Sequence, residues 1–365
     1  MEKLRVQIDD LSRGGPGVVR ARSGHPVVFV PKSAPGDQGW VQIQTKKKQY
    51  WIAEVKKWDE LARNRVKPKC EFFDECGGCD WQHLAYGHQW QVKVEGVRWA
   101  LRKSLGLKAI TWELFPSSIA WGYRNRIQLH WDGVRFGYFK HRSKTIVDIQ
   151  SCEIAHTKIS QQIPKLKKML QDQGASVGTY EIRLTSDGRV VMGTRSAFGF
   201  RQVHEAQNQF LRNWVQNHAG APQCVLDLYS GDGNLSESIG SPRICVDVAT
   251  PSLASPKAVD VKTRWVHAAV GDWLKRPQSK KVASEADLLI LDPPRFGLKH
   301  DIDSLMDVLS VSQCRKIIFI GCHTDSWARD LLNFERKQWQ IQTVGVFDFF
   351  PQTHHVETAA VLERF

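Results

Sequence analysis

Apolar runs and amphipathic segments alternate along the carboxyl-terminal part of the chain. The apolar runs include Val225–Leu228, Leu288–Leu291 and Ile317–Ile320, and segments with helical spacing lie between them. Strands that alternate with helices in this way are typical of a parallel α/β sheet. A helical segment that ends at Gly220 precedes the first of these strands. The pattern therefore predicts an α/β, Rossmann-like domain from about residue 200 onward.

The amino-terminal part has the period-two pattern of β-strands instead. Residues 3 to about 57 contain five short β-type runs separated by turns, which predicts a small β-barrel. An amphipathic helix is predicted over residues 85–105. Strand-like runs return between residues 110 and 200, interrupted by an amphipathic helix near 159–173. This second stretch predicts a mixed β module.

Polar residues follow three of the apolar strands of the α/β domain. Tyr229 precedes a turn with Gly231 and Gly233, Asp292 is followed by two prolines, and Cys322 follows the third strand. Ligands of open α/β sheets bind at the carboxyl ends of the strands, and a glycine turn that opens a helix suits an adenosyl or nucleotide ligand. We therefore expect these side chains to converge on a ligand crevice, with Glu357 entering from a loop onto the sheet rim.

Eight cysteines are present, and three of them are closely spaced at Cys70, Cys76 and Cys79. A fourth ligand is expected at Cys152, in the polar segment DIQSCEIAH, because the sequence places Cys224, Cys245 and Cys314 in or beside apolar strands. Three local ligands and one distant ligand favour an iron-sulfur cluster. Zinc is the chemical alternative, although its usual sites pair two close cysteines twice.

The net charge of the chain indicates what kind of partner it binds. The net charge is +13 and the pI is about 9.4, which indicates a polyanionic partner such as nucleic acid. Lys46, Lys47 and Lys48 lie beside Tyr50 and Trp51, a mixture that suits single-stranded nucleic acid. The start lacks a signal-like apolar region and no long apolar run occurs, so a cytoplasmic protein without a membrane segment is expected.

Six motifs together resemble the RNA uracil-5-methyltransferases that carry a TRAM domain and a 4Fe-4S cluster. They are CxxxxxCGGCxxQH from Cys70, FxQV from Phe200, DLYSGDGN from Asp227, DPPRFG from Asp292, the Cys322 segment ending in ARDL, and DFFPQTHHVE. The resemblance covers essentially the whole chain. It implies a TRAM-like RNA-binding β-barrel (1–58), a central iron-sulfur and RNA-binding domain (59–84 and 107–199) and a class I methyltransferase domain (85–106 and 200–365).

The resemblance also implies a reaction and the residues that perform it. Carbon 5 of uracil is a poor nucleophile, so a thiolate, Cys322, first adds to carbon 6, and a base, Glu357, later removes the carbon 5 proton. The target uridine is flipped into the crevice, and 23S ribosomal RNA is favoured over transfer RNA. The residues expected to contact S-adenosylmethionine are Gln202, Tyr229, Asn234, Asp247, Asp272 and Asp292.

Three departures from the family pattern stand out. His323 and Thr324 follow Cys322 where the family reads Asn-Pro, and His204 replaces an expected asparagine. The segment after Asp247 contains prolines where a long helix is usual. Two other functions therefore stay open: an RNA-binding protein that has lost catalysis, and a methyltransferase for another acceptor, such as a guanine nitrogen, that needs no cysteine.

Overall fold

The computed structural model describes residues 2–106, 110–185, 187–194, 201–249 and 262–364. The chain divides into two compact units. The first contains Met1–Glu95, Ser118–Phe198 and Phe350–His355, and the second contains Gly96–Ser117, Gly199–Phe349 and Val356–Phe365. Each unit is therefore built from separate stretches of sequence.

The strands are β1 Lys3–Gln7, β2 Asp10–Leu11, β3 Gly17–Val19, β4 Val27–Val30, β5 Gln38–Lys46, β6 Tyr50–Glu60, β7 Thr111–Phe115, β8 Arg126–Trp131, β9 Phe136–Phe139, β10 Ile146–Asp148, β11 Gly178–Leu184, β12 Val190–Thr194, β13 Val225–Leu228, β14 Arg243–Asp247, β15 Thr263–His267, β16 Leu288–Leu291, β17 Lys316–Gly321, β18 Gln340–Phe347 and β19 Glu357–Glu363. The helices are α1 Tyr86–Leu105, α2 Thr157–Ser160, α3 Ile163–Asp172, α4 Glu205–Ala219, α5 Val270–Leu274, α6 Pro277–Ala283, α7 Ile302–Ser310 and α8 Thr324–Arg336. Among the described residues, no helix combines the length and the apolar character that crossing a membrane requires.

The first unit begins with a six-stranded sheet in the order β1-β5-β6-β4-β3-β2. Buried and exposed residues alternate along β5, and its pairing with β6 shifts register at three points. Such irregularities bend and twist a strand pair. The strand-rich pattern predicted for residues 3 to about 57 is confirmed. The buried side chains of this sheet are Val6, Ile8, Val19, Val28, Val30, Val41, Ile43 and Ala53.

A second sheet of the same unit has the order β10-β9-β8-β11-β12. Its apolar core includes the buried Cys79 and Cys152 among aromatic and aliphatic side chains. The amphipathic helix expected near residues 159–173 is in fact two helices, α2 and α3. Pro164 explains the break, because proline is accepted in the first turn of a helix but not within one.

The second unit contains an eight-stranded sheet in the order β15-β14-β13-β16-β17-β19-β18-β7. The five strands from β15 to β17 run parallel, which confirms the α/β prediction. The chain runs outward from β13 to β14 and β15, and then returns to the other side of β13 as β16. This reversal creates a switch point between β13 and β16, the usual place for a ligand.

Two features of this sheet differ from the sequence pattern. The turn after β13 is followed by a short 3-10 helix, Ser236–Ile239, that ends at Gly240 with a φ of 78°, whereas an α-helix was expected to open at this glycine turn. Strand β7 pairs with β18 at the sheet edge, although its residues lie in the 107–199 range expected for the central module.

A buried ion pair connects the turn before β5 with the segment that follows β6. Asp37 is fully buried, and it accepts hydrogen bonds from Arg65 Nε (2.8 Å) and Nη2 (2.7 Å). The backbone amides of Ala34 and Ala62 also donate to this carboxylate. Both oxygens of the Asp37 carboxylate therefore accept hydrogen bonds. Loss of Arg65 would leave the buried carboxylate without its counter-charge.

We predict that Arg65→Met lowers the free energy of unfolding of this unit by about 3–5 kcal/mol, because it leaves the buried Asp37 carboxylate without a counter-charge. Urea unfolding followed by tryptophan fluorescence measures the change. Lys168→Ala is the control, since its pair with Asp172 has side chains that are 76% and 60% exposed and is worth at most about 0.5 kcal/mol. Equal stability of the two variants would contradict this account.

Candidate active site and cysteine pocket

Cys322 and Glu357 are brought together by strand register. β17 and β19 are antiparallel neighbours, and their last pair on this side is Gly321 with Thr358. Cys322 comes directly after Gly321, in a bend, and Glu357 comes directly before Thr358, so both residues adjoin the same strand pair. Glu357 is the first residue of β19, is buried, and pairs with Phe347 of β18. It therefore projects from a paired strand and not from the expected loop.

Electrostatic interactions link these two side chains to Asp292 and Arg295. Burial, together with the charges of Glu357 and Asp292, raises the pKa of Cys322 to about 12, and the charge of Arg295 opposes this rise. Burial, with the charge of Asp292, also holds the pKa of Glu357 well above its usual range. Burial and Asp247 raise the pKa of Asp292 to about 7. The site thus concentrates acidic groups, and a cationic ligand would relieve their repulsion.

The loop after β16 is held by helix α8, which begins two residues after Cys322. Ser326 Oγ donates to the carbonyl of Arg295 (2.7 Å), and Arg329 Nη2 donates to the carbonyl of Phe296 (2.8 Å). The amide of Leu298 donates to Asp330 Oδ2 (2.7 Å). A pocket beside the nucleophile is lined by Pro293, Pro294, Gly297, Phe319, Ile320, Gly321, Cys322, His323, Ser326 and Trp327.

The two histidines that depart from the family pattern both cap helices. His323 is the N-cap of α8, and its Nδ1 accepts from the amide of Ser326 at 3.4 Å. His204 is the N-cap of α4 and accepts through Nδ1 from the amide of Gln207, so its Nε2 donates to Ser117 Oγ at 2.8 Å. An asparagine side chain provides the same kind of acceptor at a helix start. Each histidine therefore takes over a capping role.

Three of the six residues expected to contact S-adenosylmethionine lie at the carboxyl ends of neighbouring strands. Tyr229 follows β13 with a φ of 61°, and its hydroxyl donates to Asp301 (2.8 Å). Asp247 ends β14 and accepts from the amides of Gly231 (3.1 Å) and Ala249 (2.7 Å). Asp292 follows β16. Tyr229 and Asp292 were predicted from the strand pattern, and Asp247 was implied by the family resemblance.

The other three expected residues lie around this edge. Asn234 exchanges two hydrogen bonds with Asn208 of α4, at 2.9 and 3.1 Å. Asp272 is in the short helix α5 after β15, and Gln202 precedes α4. Phe200 and the proline-containing stretch from 250 to 261 lie outside the described residues. Asn208 and Asp301 were not predicted, because neither belongs to a recognisable motif.

The four cysteines expected to hold a metal centre surround one pocket of the first unit. Cys70, Cys76 and Cys79 lie in turns after β6, and Cys152 lies just after β10. About 360 Å³ of this region is not occupied by protein atoms, and part of that space is open to solvent. Gly77 lets the turn approach β9, since a Cβ there would meet the carbonyl of Phe139 at 2.8 Å. The remaining walls are Phe72, Phe73, Gly78, Gln82, Tyr138, Ile149, Ser151, Glu153 and Ile154.

Burial keeps the thiols of this pocket protonated at neutral pH. It raises the pKa of Cys76 to about 11 and that of Cys79 to about 12, and it also raises the pKa of Cys70 and Cys152. The guanidinium of Arg124 lowers the pKa of Cys79 and Cys152. Within the described ranges, no group of three or more potential ligands is spaced to hold a single metal ion.

Known proteins are similar to this chain over nearly its full length. The family model for tRNA (uracil-5-)-methyltransferase matches residues 280–365, the segment with Asp292, Cys322 and Glu357. An uncharacterized RNA methyltransferase of Bdellovibrio bacteriovorus is 32% identical, with 99% of this chain and 95% of that protein aligned. A 23S rRNA (uracil(1939)-C(5))-methyltransferase of Shewanella halifaxensis is 26% identical, over 99% of this chain and 96% of that protein.

A solved structure has the same fold. The crystal structure of Pyrococcus abyssi tRNA (uracil-54, C5)-methyltransferase in complex with S-adenosyl-L-homocysteine superposes with a TM-score of 0.73 at 22% identity. The superposition covers 98% of this chain and 99% of that chain. The α/β sheet of the second unit therefore has the class I methyltransferase fold. With the full-length similarity to the Bdellovibrio relative, this establishes that the chain belongs to the RNA (uracil-5-)-methyltransferase family.

Proposed function

We propose that this protein transfers a methyl group from S-adenosylmethionine to carbon 5 of a uridine in RNA, and that 23S ribosomal RNA is its substrate. The observation that supports the proposal is the register of β17 and β19, since Cys322 and Glu357 adjoin its last pair, Gly321 with Thr358, and the charge of Glu357 acts on the Cys322 thiol. Methylation of carbon 5 requires a nucleophile that first adds to carbon 6 and a base that later removes the carbon 5 proton. A cysteine and a glutamate close to each other can supply both.

The reaction would use these two residues in sequence. The Cys322 thiolate adds to carbon 6 of the uracil, which creates an enolate at carbon 5. The enolate attacks the methyl group, and S-adenosylhomocysteine leaves with the electron pair of the sulfur–methyl bond. Glu357 then takes the carbon 5 proton, and elimination of the thiolate restores the double bond. A raised pKa makes Glu357 a stronger base than an exposed glutamate.

The acidic surroundings of Cys322 support a cationic methyl donor. In the free protein its thiol is protonated, because burial and the charges of Glu357 and Asp292 raise its pKa. A sulfonium bound beside these groups would lower the pKa of both Cys322 and Glu357, as Arg295 already does. The donor contacts that we propose are those of Gln202, Tyr229, Asn234, Asp247, Asp272 and Asp292.

We propose that the first unit binds RNA, because it presents basic and aromatic side chains together. We propose that its six-stranded sheet is a TRAM-like, OB-like barrel of residues 1–58. Lys46 lies 4.2 Å from the ring centre of Trp51, and Tyr50 is exposed on the same hairpin. A basic group over an aromatic ring suits a nucleotide strand. Ribosomal RNA is preferred to transfer RNA because the Shewanella relative is named for 23S rRNA.

We further propose that Cys70, Cys76, Cys79 and Cys152 hold a 4Fe-4S cluster. The four thiols around an apolar pocket fit the soft, all-sulfur ligand set of such a cluster, and three local ligands with one distant ligand favour it over a zinc ion. Arg124 would help to compensate the negative charge of the thiolates. The cluster would stabilise the central module of residues 59–84 and 107–199 without taking part in methyl transfer.

The proposed activity predicts the loss of 5-methyluridine at one position of 23S ribosomal RNA in a strain that lacks the gene. Position-resolved mapping of ribosomal and transfer RNA, compared with the parent strain, measures it. The wild-type gene restores the methyl group, whereas Cys322→Ala and Glu357→Gln do not. Loss in transfer RNA alone would contradict the ribosomal substrate, and no loss anywhere, with no affinity for S-adenosylhomocysteine, would favour a silent RNA binder.

The two variants are expected to fail at different steps when purified. Glu357→Gln accumulates a protein–RNA adduct on a denaturing gel, because the carbon 5 proton cannot be removed and the thiolate cannot leave. Cys322→Ala forms no adduct but still binds S-adenosylhomocysteine by calorimetry. Turnover by Cys322→Ala would rule out the covalent route and favour a different acceptor atom.

The electrostatics of Cys322 predict a steep pH dependence of its alkylation. Because burial and nearby charges raise its pKa to about 12, the rate with iodoacetamide rises nearly tenfold per pH unit between pH 7 and 9. Arg295→Met slows alkylation further, since the guanidinium favours the thiolate. Mass spectrometry of the Cys322 peptide gives the rate, with the Cys322→Ala protein as blank. A plateau below pH 8 would contradict the raised pKa.

The proposed cluster predicts that protein purified without oxygen absorbs near 400 nm and contains iron and acid-labile sulfide in equal amounts. Cys79→Ser loses this absorbance, and its melting temperature falls by on the order of 10 °C, because a structural centre contributes to folding. Cys224→Ser, a cysteine that does not line the pocket, keeps both. A colourless protein that contains zinc would overturn the assignment.

A further inference from the structure

An exposed aromatic ring lies beside the candidate active site. Phe296 is 60% exposed, although it follows Arg295, whose charge acts on Cys322 and Glu357. Resting on the proposed RNA substrate, we propose that Phe296 is a stacking platform for a base next to the target uridine. It would determine how the RNA is positioned and would take no part in the chemistry.

The backbone around Phe296 is fixed although its ring is exposed. The carbonyls of Arg295 and Phe296 accept from Ser326 and Arg329 of α8, at 2.7 and 2.8 Å. Gly297 has a φ of 73°, and its amide donates to the carbonyl of Pro294 at 2.7 Å. A ring on such a rigid loop loses little conformational entropy when it binds a partner.

The same helix fixes the distance between the ring and the nucleophile. Helix α8 starts at Thr324, two residues after Cys322, and its first turns hold the loop. Asp330, from the second turn, also accepts from the amide of Leu298 at 2.7 Å. Cys322, α8 and the loop of Phe296 are therefore connected by the chain and by these hydrogen bonds. The loop that carries the platform is thus held at a defined position relative to Cys322.

The chemistry of the site favours a nucleobase as the occupant. A uridine flipped toward Cys322 leaves the stack, and its neighbours in the strand lose a stacking partner. An exposed ring can replace that partner, and stacking on it is tolerant of base identity. The surrounding exposed residues are Arg295, Lys299 and His300, and two of them carry the positive charge that phosphates require. The patch thus combines an aromatic face with a basic rim.

We test the inference with Phe296→Ala and an unmodified RNA oligonucleotide copied from the mapped methylation site. The variant should raise the KM for RNA by about 5- to 100-fold, the loss expected for one stacked base, with a much smaller effect on kcat. Phe296→Trp should restore the wild-type KM. Phe210→Ala is the matched control, because this phenylalanine is 42% exposed on α4 and should leave KM unchanged.

A second RNA series identifies the stacked base. Oligonucleotides with an abasic site at one flanking position each are compared for the wild type and Phe296→Ala. At one position, the abasic RNA should bind the wild type more weakly than the intact RNA does. Phe296→Ala should bind these two RNAs equally, because the variant has no ring on which the base could stack. Calorimetry with S-adenosylhomocysteine confirms that the variant is folded.

Three results would contradict the proposal that Phe296 is a stacking platform. They are an unchanged KM in Phe296→Ala, a loss of cofactor binding together with RNA binding, and an equal effect of every abasic site in both proteins. A wild-type protein without any turnover would instead refute the proposed function. The RNA affinity of Phe296→Ala can still be measured in that case, so the two failures are distinguishable.

Discussion

The insertion of β19 between β17 and β18 is the constraint on which the candidate site depends. The last strand enters a sheet of parallel strands in the opposite direction, so its amino-terminal end meets the carboxyl-terminal end of β17. A residue from the end of the chain thereby joins the edge where the parallel strands deliver their polar groups. Backbone hydrogen bonds on both sides of β19 fix its register, and a shift of one residue would turn Glu357 to the other face.

This arrangement places several buried carboxyl groups close to one another. Asp292 and Glu357 raise the pKa of Cys322, and Asp247 raises that of Asp292, so one edge of the sheet holds carboxyl groups that repel one another. Strain of this kind is common at functional sites, where it is relieved by the ligand. The same charges that hold the free nucleophile protonated would favour a sulfonium, which links donor binding to activation of the thiol.

Much of this could be read from the sequence. The parallel strands, α1, the amino-terminal sheet and the gathering of Cys70, Cys76, Cys79 and Cys152 around one pocket follow from periodicity, glycine placement and spacing. Other features depend on contacts between distant segments. β7 reads as part of the central module because nothing local shows that it pairs with β18, and Glu357 reads as a loop residue because its strand partners lie far away in sequence. Asn208 and Asp301 were missed for the same reason.

The histidine caps have a consequence for which ring nitrogen carries the proton. An asparagine oxygen accepts a hydrogen bond in one fixed way, whereas a neutral imidazole has one nitrogen that accepts and one that donates. His323 and His204 cap α8 and α4, and α8 is the helix that holds both the nucleophile segment and the loop of Phe296. The first turn of α8 therefore selects the tautomer of His323 in which Nε2 carries the proton, and this N–H is a hydrogen-bond donor one residue after the nucleophile.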